Sequence, residues 1–288
     1  MKKKELSGSS LVKKKNRSKW GATFLNVPYI LWSAIFVIIP MFIVGYYAFT
    51  DAKGNFTLEN FKDFSIYQES LLYSFLYAFI ATVIILLVAY PFAYFVAKCS
   101  ESTQKVMMML VMLPLWMNML ILTNSITILI ENNGIINNFL EMIGIGRVQM
   151  WGTPGAVIFG LVYNYFPYMV LPLVSVLSKI DPAVLEASSD LGSNGFSRFV
   201  RIILPLSFPG IVSGLTMVFV PSVSTFYISQ KLGGTDTVLI GDVIERQFKQ
   251  GNNANLGAAL SLLLMILVFI CTGIMNKLGA DEEGGVVV

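Results

Sequence analysis

Asp181-Pro182-Ala183-Val184-Leu185-Glu186-Ala187-Ser188-Ser189-Asp190-Leu191-Gly192, followed by Ile202-Ile203-Leu204-Pro205, is the polar interruption around which this chain is arranged. Asp181 offers a side-chain acceptor for a helix N-terminus, and Pro182 suits the first helical position, where its missing N–H does no harm. Val184, Ala187 and Leu191 then recur at i, i+3 and i+7 as a narrow apolar stripe, with Glu186 and Asp190 elsewhere on the surface. Gly192 is a helix stop, since glycine takes the left-handed conformation cheaply. Ser193-Asn194 starts a second short helix, predicted to run through Phe199 into the next apolar run ahead of Pro205. Two short helices joined at a glycine make a compact knob.

Outward from the knob the chain reads as membrane protein. Of its 288 residues 55% are hydrophobic and 13% charged, with mean hydropathy +0.70, whereas soluble domains carry about 25% charged residues. Six stretches contain no Asp, Glu, Lys or Arg: 20–50, 70–97, 106–130, 148–178, 202–230 and 250–276. Each exceeds the ~20 residues that a helix needs to cross ~30 Å of hydrocarbon. The expected spans are 27–49, 71–97, 106–130, 154–178, 206–230 and 255–276. Residues 51–69 read as a loop with a short surface helix, and 134–145 and 238–250 as amphipathic interfacial helices. In the first, Ile135, Ile136, Phe139, Leu140 and Ile143 share the apolar face; in the second, Leu239, Ile240, Val243, Ile244 and Phe248 do so, with Gly251 as a stop.

Charge sets the orientation. With the N-terminus inside, fourteen Lys and Arg fall on the cytoplasmic side and six outside. The positive-inside rule therefore places both termini and the Glu186 loop in the cytoplasm. The fold class is an all-α integral membrane protein of six transmembrane helices. Residues 1–26 form a basic cytoplasmic segment, 27–278 the transmembrane domain with its loop at 181–201, and 279–288 an acidic tail. The basic run reads as a topology signal that favours anionic lipid headgroups, not as a nucleic-acid tail. The first apolar run is too long for a signal-peptide core and lacks a small-x-small cleavage site.

Histidine is absent, and Cys99 and Cys271 fit neither a disulfide framework nor a metal-ligand spacing. No catalytic residue or metal ligand is expected. With no G-x4-G-K-[ST] phosphate loop, the chain is expected not to hydrolyse ATP itself. No span contains an acid of the kind that marks the ion path of a secondary transporter.

The knob resembles the coupling loop of permeases of binding-protein-dependent (type I) ABC importers, E-A-A-x3-G-x9-I-x-L-P. Glu186, Ala187, Gly192, Ile202, Leu204 and Pro205 match, and Ser188 replaces the second Ala. The resemblance implies that Glu186, Ala187, Ser188, Asp190, Leu191, Gly192 and Pro205 couple the spans to a cytoplasmic ATPase, which uses ATP and Mg2+. Leu113-Pro114-Leu115-Trp116-Met117-Asn118, Gly160-Leu161-Val162-Tyr163, Thr225-Phe226-Tyr227-Ile228-Ser229 with Gly233-Gly234, and Leu239-Ile240-Gly241 are similar to polyamine-importing permeases over roughly residues 25–278. That implies a second, different permease subunit, two ATPase subunits and an extracellular polyamine-binding protein, in a bacterial cell membrane. The same scaffold carries other small solutes in related permeases. For a cationic cargo the candidates for a pathway lining are Trp116, Asn118, Asn164, Tyr168 and Tyr227, through aromatic faces and amide oxygens. Two positions depart from the family. Leu122 stands where an Arg is frequent, and Gln230 where an acid is frequent.

Overall fold

The computed structural model describes residues 27–62, 64–234, 237–249 and 253–283. The basic segment 1–26, the stop expected at Gly251 and the last residues of the acidic tail lie outside these. The chain divides into two compact units, Met1–Tyr46 and Tyr47–Val288.

Six helical stretches among the described residues are long and apolar enough to cross a membrane: Val27–Ala48, Phe64–Ala97, Met119–Met142, Pro154–Leu177, Gly195–Ser224 and Ala254–Lys277. We number the helices α1 (Val27–Ala48), α2 (Phe64–Ala97), α3 (Glu101–Trp116), α4 (Met119–Ile130), α5 (Ile135–Met142), α6 (Pro154–Leu177) and α7 (Pro182–Asp190). They continue with α8 (Gly195–Ser224), α9 (Tyr227–Leu232), α10 (Ile240–Lys249) and α11 (Ala254–Glu283). The described residues hold no strand beyond one isolated antiparallel bridge, Thr50 to Phe56.

Prolines shape several of these helices without ending them. A proline removes one N–H and crowds the carbonyl four residues before it. Pro40 and Pro205 each follow a widened π-turn, Ala34–Ile38 and Phe199–Ile203, which absorbs that crowding. The second π-turn lets the short helix after the knob run into the long span α8, as the sequence predicts.

Two expectations are corrected. The apolar stretch 106–130 is not one helix, because α3 ends at Trp116 and α4 begins at Met119. Pro114 weakens the last turn of α3, Met117 is extended, and the Asn118 side chain accepts from Leu120 N at 2.8 Å to cap α4. Span five ends at Ser224, six residues short of the expected 230, and α9 is a separate helix. Pro221 lies in the last turn of α8, the Ser224 hydroxyl turns back on Val220 O at 3.2 Å, and Thr225 is extended. Gly241 of α10 packs directly on the Ser224 and Thr225 carbonyls, where a Cβ would collide.

The core centres on α6, which packs between α2 and α8. Gly210 and Gly214, four apart on α8, face α6, and an added Cβ would meet Val176 and Pro172 at the first and Met169 at the second. Small residues at this spacing let two membrane helices approach closely. Gly160 does the same for Ile228 and Leu232 of α9. In α5 the expected apolar face is largely exposed in this single chain, with Ile136 the residue that packs on the core. Its inward anchor is Asn137, fully buried, whose amide donates to Glu131 O and Val148 O and accepts from Val148 N.

Candidate functional site

The knob is built from its own capping chemistry. Asp181 Oδ1 accepts from Ala183 N at 2.9 Å and Pro182 opens α7. At the other end Ser193 N donates to Ser188 O and Gly192 N to Ser189 O, with Gly192 at φ 80°. This pair of bonds is the Schellman closure, which needs a residue tolerant of positive φ at its turn. Asn194 Oδ1 then caps the first turn of α8 by accepting from Ser197 N at 2.7 Å. Arg198 ties the two helices by donating to Ser189 Oγ.

The apolar stripe of α7 faces outward. Val184, Ala187 and Leu191 are exposed, Leu191 at 89%, and Phe196 beyond the glycine is 78% exposed. Glu186 and Asp190 are exposed as well. The inward residues are Leu185, which packs on the core, and buried Ser188, whose hydroxyl bonds Leu185 O at 2.8 Å. Ser188 therefore occupies a position that demands a small side chain, and its hydroxyl is satisfied within its own helix. Pro205 lies in the first turn of the α-helical part of α8, directly after the π-turn, on the segment that links the knob to the core.

The pathway candidates fall into three places. Asn164 and Tyr168, one turn apart on α6, line a cavity of about 100 Å³ with Leu115, Met117, Met119 and Leu122 from the α3–α4 break. The Asn164 amide donates to Gly160 O at 2.8 Å, and the Tyr168 ring lies 6.0 Å from that of Tyr165. Tyr227, on α9, donates to Asn124 Oδ1 of α4 at 3.4 Å and receives Lys231 Nζ 5.9 Å from its ring centre. Trp116 and Asn118 are not on that cavity wall: Trp116 is 73% exposed at the end of α3, and the Asn118 side chain caps α4. The break brings Asn164 and Tyr168 to one hollow, with Tyr227 at a neighbouring helix pair.

A set of relationships now places the chain. Residues 89–279 match the family described as "Binding-protein-dependent transport system inner membrane component". The chain belongs to this family. It is an inner-membrane permease component, similar to the spermidine/putrescine transport system permease protein PotB of Escherichia coli K12, at 39% identity over 82% of this chain and 90% of that protein. PotB of Salmonella typhimurium LT2 is 39% identical over 88% of this chain and 92% of its own length. PotB of Haemophilus influenzae is 37% identical over 83% and 88%. The fold is that of a bacterial ABC transporter importing the acidic polysaccharide alginate, with TM-score 0.74 at 19% identity, covering 91% of this chain and 96% of that one. That transporter is also known in complex with an alginate pentasaccharide-bound periplasmic protein, at TM-score 0.70, 18% identity and coverage of 90% and 93%.

Within this permease, the two departures have definite surroundings. Leu122 is buried and lines the Asn164–Tyr168 cavity. Gln230, one turn after Tyr227, donates from Nε2 to Glu245 Oε2 of α10 at 3.1 Å. Asp242 is the residue that sequence reasoning missed. It is 1% exposed, and its Oδ2 accepts from Leu239 N at 3.0 Å. Ile240 N, next in line, donates to Ser74 Oγ of α2 at 2.8 Å. Among the described residues Asp242 Oδ1 has no partner within hydrogen-bond geometry, and the nearby Ser229 hydroxyl is engaged with Phe226 O. Burial pushes the Asp242 carboxyl up to about 6, against the opposing pull of Ser229, the Leu239 amide, Arg246 and Gln230. The Lys249 ammonium, with help from Gln230, holds the Glu245 carboxyl below its usual range despite some burial. The spacing Leu239-x-x-Asp242, an acid reaching back to the start of its own helix, was the available signal.

Proposed function

We propose that the chain is one of two different permease subunits of an ATP-driven importer that takes up polyamines, spermidine or putrescine, delivered by an extracellular binding protein. The observation that carries the importer reading is the knob, a rigid, self-capped projection with Leu191 and Phe196 exposed, joined through Pro205 to a span packed in the core. With two permease subunits in the importer, such a surface suits a groove on one of a pair of cytoplasmic ATPase subunits. Those subunits would supply ATP and Mg2+, and this chain needs no cofactor of its own. The distribution of Lys and Arg supports a cytoplasmic position for the knob and both termini. Closure of the ATPase pair on ATP would pull on α7, tilt α8, and shift α6 through the Gly210–Gly214 contact, switching the pathway from one face to the other.

Polyamine cargo is supported by the 37–39% identity to the three PotB permeases, and by aromatic and amide groups at Tyr168, Asn164 and Tyr227. A second cargo class is kept in view by one observation: the same fold carries an acidic polysaccharide in its structural relatives, and fold does not fix cargo. Uptake of radiolabelled spermidine and putrescine by cells lacking the chain, with wild type or Glu186→Ala restored, tests both parts. Uptake returning with wild type alone supports cargo and coupling. Absence of uptake with wild type, while an ATPase still co-purifies with the chain, removes the polyamine reading and leaves the importer.

A further inference from the structure

A cation crossing this permease meets six apolar stretches without a single acid. Its counter-charge has to come from elements packed against them. Helix α10 supplies two. Glu245 accepts from Gln230 through Oε2 at 3.1 Å and from Lys249 Nζ through Oε1 at 2.6 Å. Its side chain is 17% exposed, whereas that of Lys249 is 69% exposed. Asp242, one turn earlier and buried, has no partner at Oδ1 within hydrogen-bond geometry among the described residues, although the Ser229 and Gln230 side chains lie close enough to favour its charge. Glu245 also stands on the wall of a cavity of about 380 Å³ between α8, α10 and α11, with Ser224, Phe226, Ser261, Leu264 and Val268. Hydroxyls and a carboxylate over an otherwise apolar wall suit a molecule with ammonium ends and a methylene middle.

The cation-seeking groups are already engaged by the chain's own lysines. Lys231 sits over the Tyr227 ring at 5.9 Å and Lys249 on Glu245. Both lysines, and Arg246 beside Asp242, are exposed. The pair joins a mostly covered carboxylate to an exposed, hydrated ammonium on a flexible stem, so Lys249 is an occupant that a better-placed cation can displace. An ammonium arriving from the cavity side would be less hydrated and more strongly held.

We propose that Glu245, positioned by Gln230 and backed by Asp242, is the anionic contact for one ammonium group of a linear diamine or polyamine, which displaces Lys249. This rests on the polyamine reading above and adds a site to it. The test is concentration-dependent uptake of radiolabelled putrescine and spermidine in cells carrying wild type, Glu245→Gln, Glu245→Asp or Lys249→Met, with membrane level checked for each. Glu245→Gln should raise KM roughly tenfold or more, the loss expected for one hydrogen bond to a charged group, while the maximal rate changes little. Glu245→Asp should recover part of that loss. Lys249→Met should lower KM a few-fold, the expectation for removing a competing ammonium that is itself exposed. Unchanged KM in Glu245→Gln, with wild type importing normally, overturns the site and leaves the polyamine reading intact. Should Glu245→Gln fail to reach the membrane, Lys249→Met decides: unchanged KM there also overturns it. No polyamine uptake by wild type overturns the cargo reading and the site with it.

Discussion

The knob at 181–201 and the corner where α9 meets α10 are both polar devices in an apolar protein, but they are held in opposite ways. The knob is closed by bonds that reach a few residues: Asp181 to Ala183, Ser193 to Ser188, Asn194 to Ser197. The corner is closed across the whole chain, with Ser74 receiving Ile240 N and Gly241 seated on the Ser224 and Thr225 carbonyls. The knob exposes its apolar side chains, and the corner buries a carboxylate. In the proposed coupling role the knob has to keep its shape while it is pushed. In the proposed binding role the corner can hold a buried charge, and the difference says where each is open to attack.

Gly192→Val is expected to give the largest loss. The glycine has φ 80° and nothing within 4 Å of an added Cβ, so the obstacle is the backbone and not space. A β-branched residue pays roughly 1–2 kcal/mol or more in that conformation, which is enough to open the Schellman turn and let α7 and α8 separate. Uptake should fall to background with membrane level retained. Gly192→Asn, which tolerates the left-handed region, should keep most of it. Equal activity of the Val and Asn variants would show that the elbow geometry does not matter to coupling.

The corner breaks in the other direction. The Asp242 carboxyl is raised from 3.8 to about 6, so the folded protein binds that proton more readily than the unfolded chain. Its ionisation subtracts stability as pH rises through about 6, and the penalty vanishes below about 3.8. Linkage puts the full effect at about 3 kcal/mol as an upper figure. Asp242→Asn should therefore raise the thermal midpoint of the purified permease by several degrees at pH 7.5 and by about a third as much near pH 4.5. At pH 7.5 it should also weaken cargo affinity, since it removes a charge behind Glu245. A midpoint unchanged at pH 7.5 would mean that Arg246 fully compensates the buried charge.

What was legible in the sequence follows the same division. The number of spans, though not the bounds of the third and fifth, follows from the segregation of charge, and the knob from Asp181, Pro182 and Gly192, because each of those signals acts on its immediate neighbours. The helix breaks were less visible. At 117–118 the break depends on whether Asn118 caps α4 or faces a pathway, and the structure shows it capping. At 225–226 it depends on a glycine of α10 packing on the carbonyls that end α8. Asp242 was missed because an acid in an amphipathic helix reads as part of the solvated face unless one knows that Ser74 draws the start of α10 against α2.

Within the pathway candidates, Tyr227→Ala should cost more than Trp116→Ala. The Tyr227 ring already receives a lysine ammonium and its hydroxyl reaches Asn124, whereas Trp116 is exposed at a helix end. A cation–π contact contributes about 0.5–2 kcal/mol, so a KM rise of a few-fold up to about thirtyfold is expected for Tyr227→Ala. Trp116→Ala should stay within about twofold unless a second permease subunit covers that face. Equal effects would place both rings on one pathway wall in the assembled importer.

Ser188→Ala should do least, and for that reason it sharpens the comparison. It restores the residue usual at this position of the loop and removes a hydroxyl bonded to Leu185 O at 2.8 Å. Losing such a bond costs about 0.5–1.5 kcal/mol, and alanine favours a helix by up to about 0.7 kcal/mol. The two terms are of similar size and opposite sign, so neither uptake nor thermal midpoint should move beyond error. Ser188→Leu changes volume at the same buried point. It would push α7 off the first turn of α8, where Arg198 now reaches Ser189 Oγ, and should uncouple uptake as Gly192→Val does. A neutral alanine beside a disabling leucine would show that size, not polarity, is what this position of the knob requires.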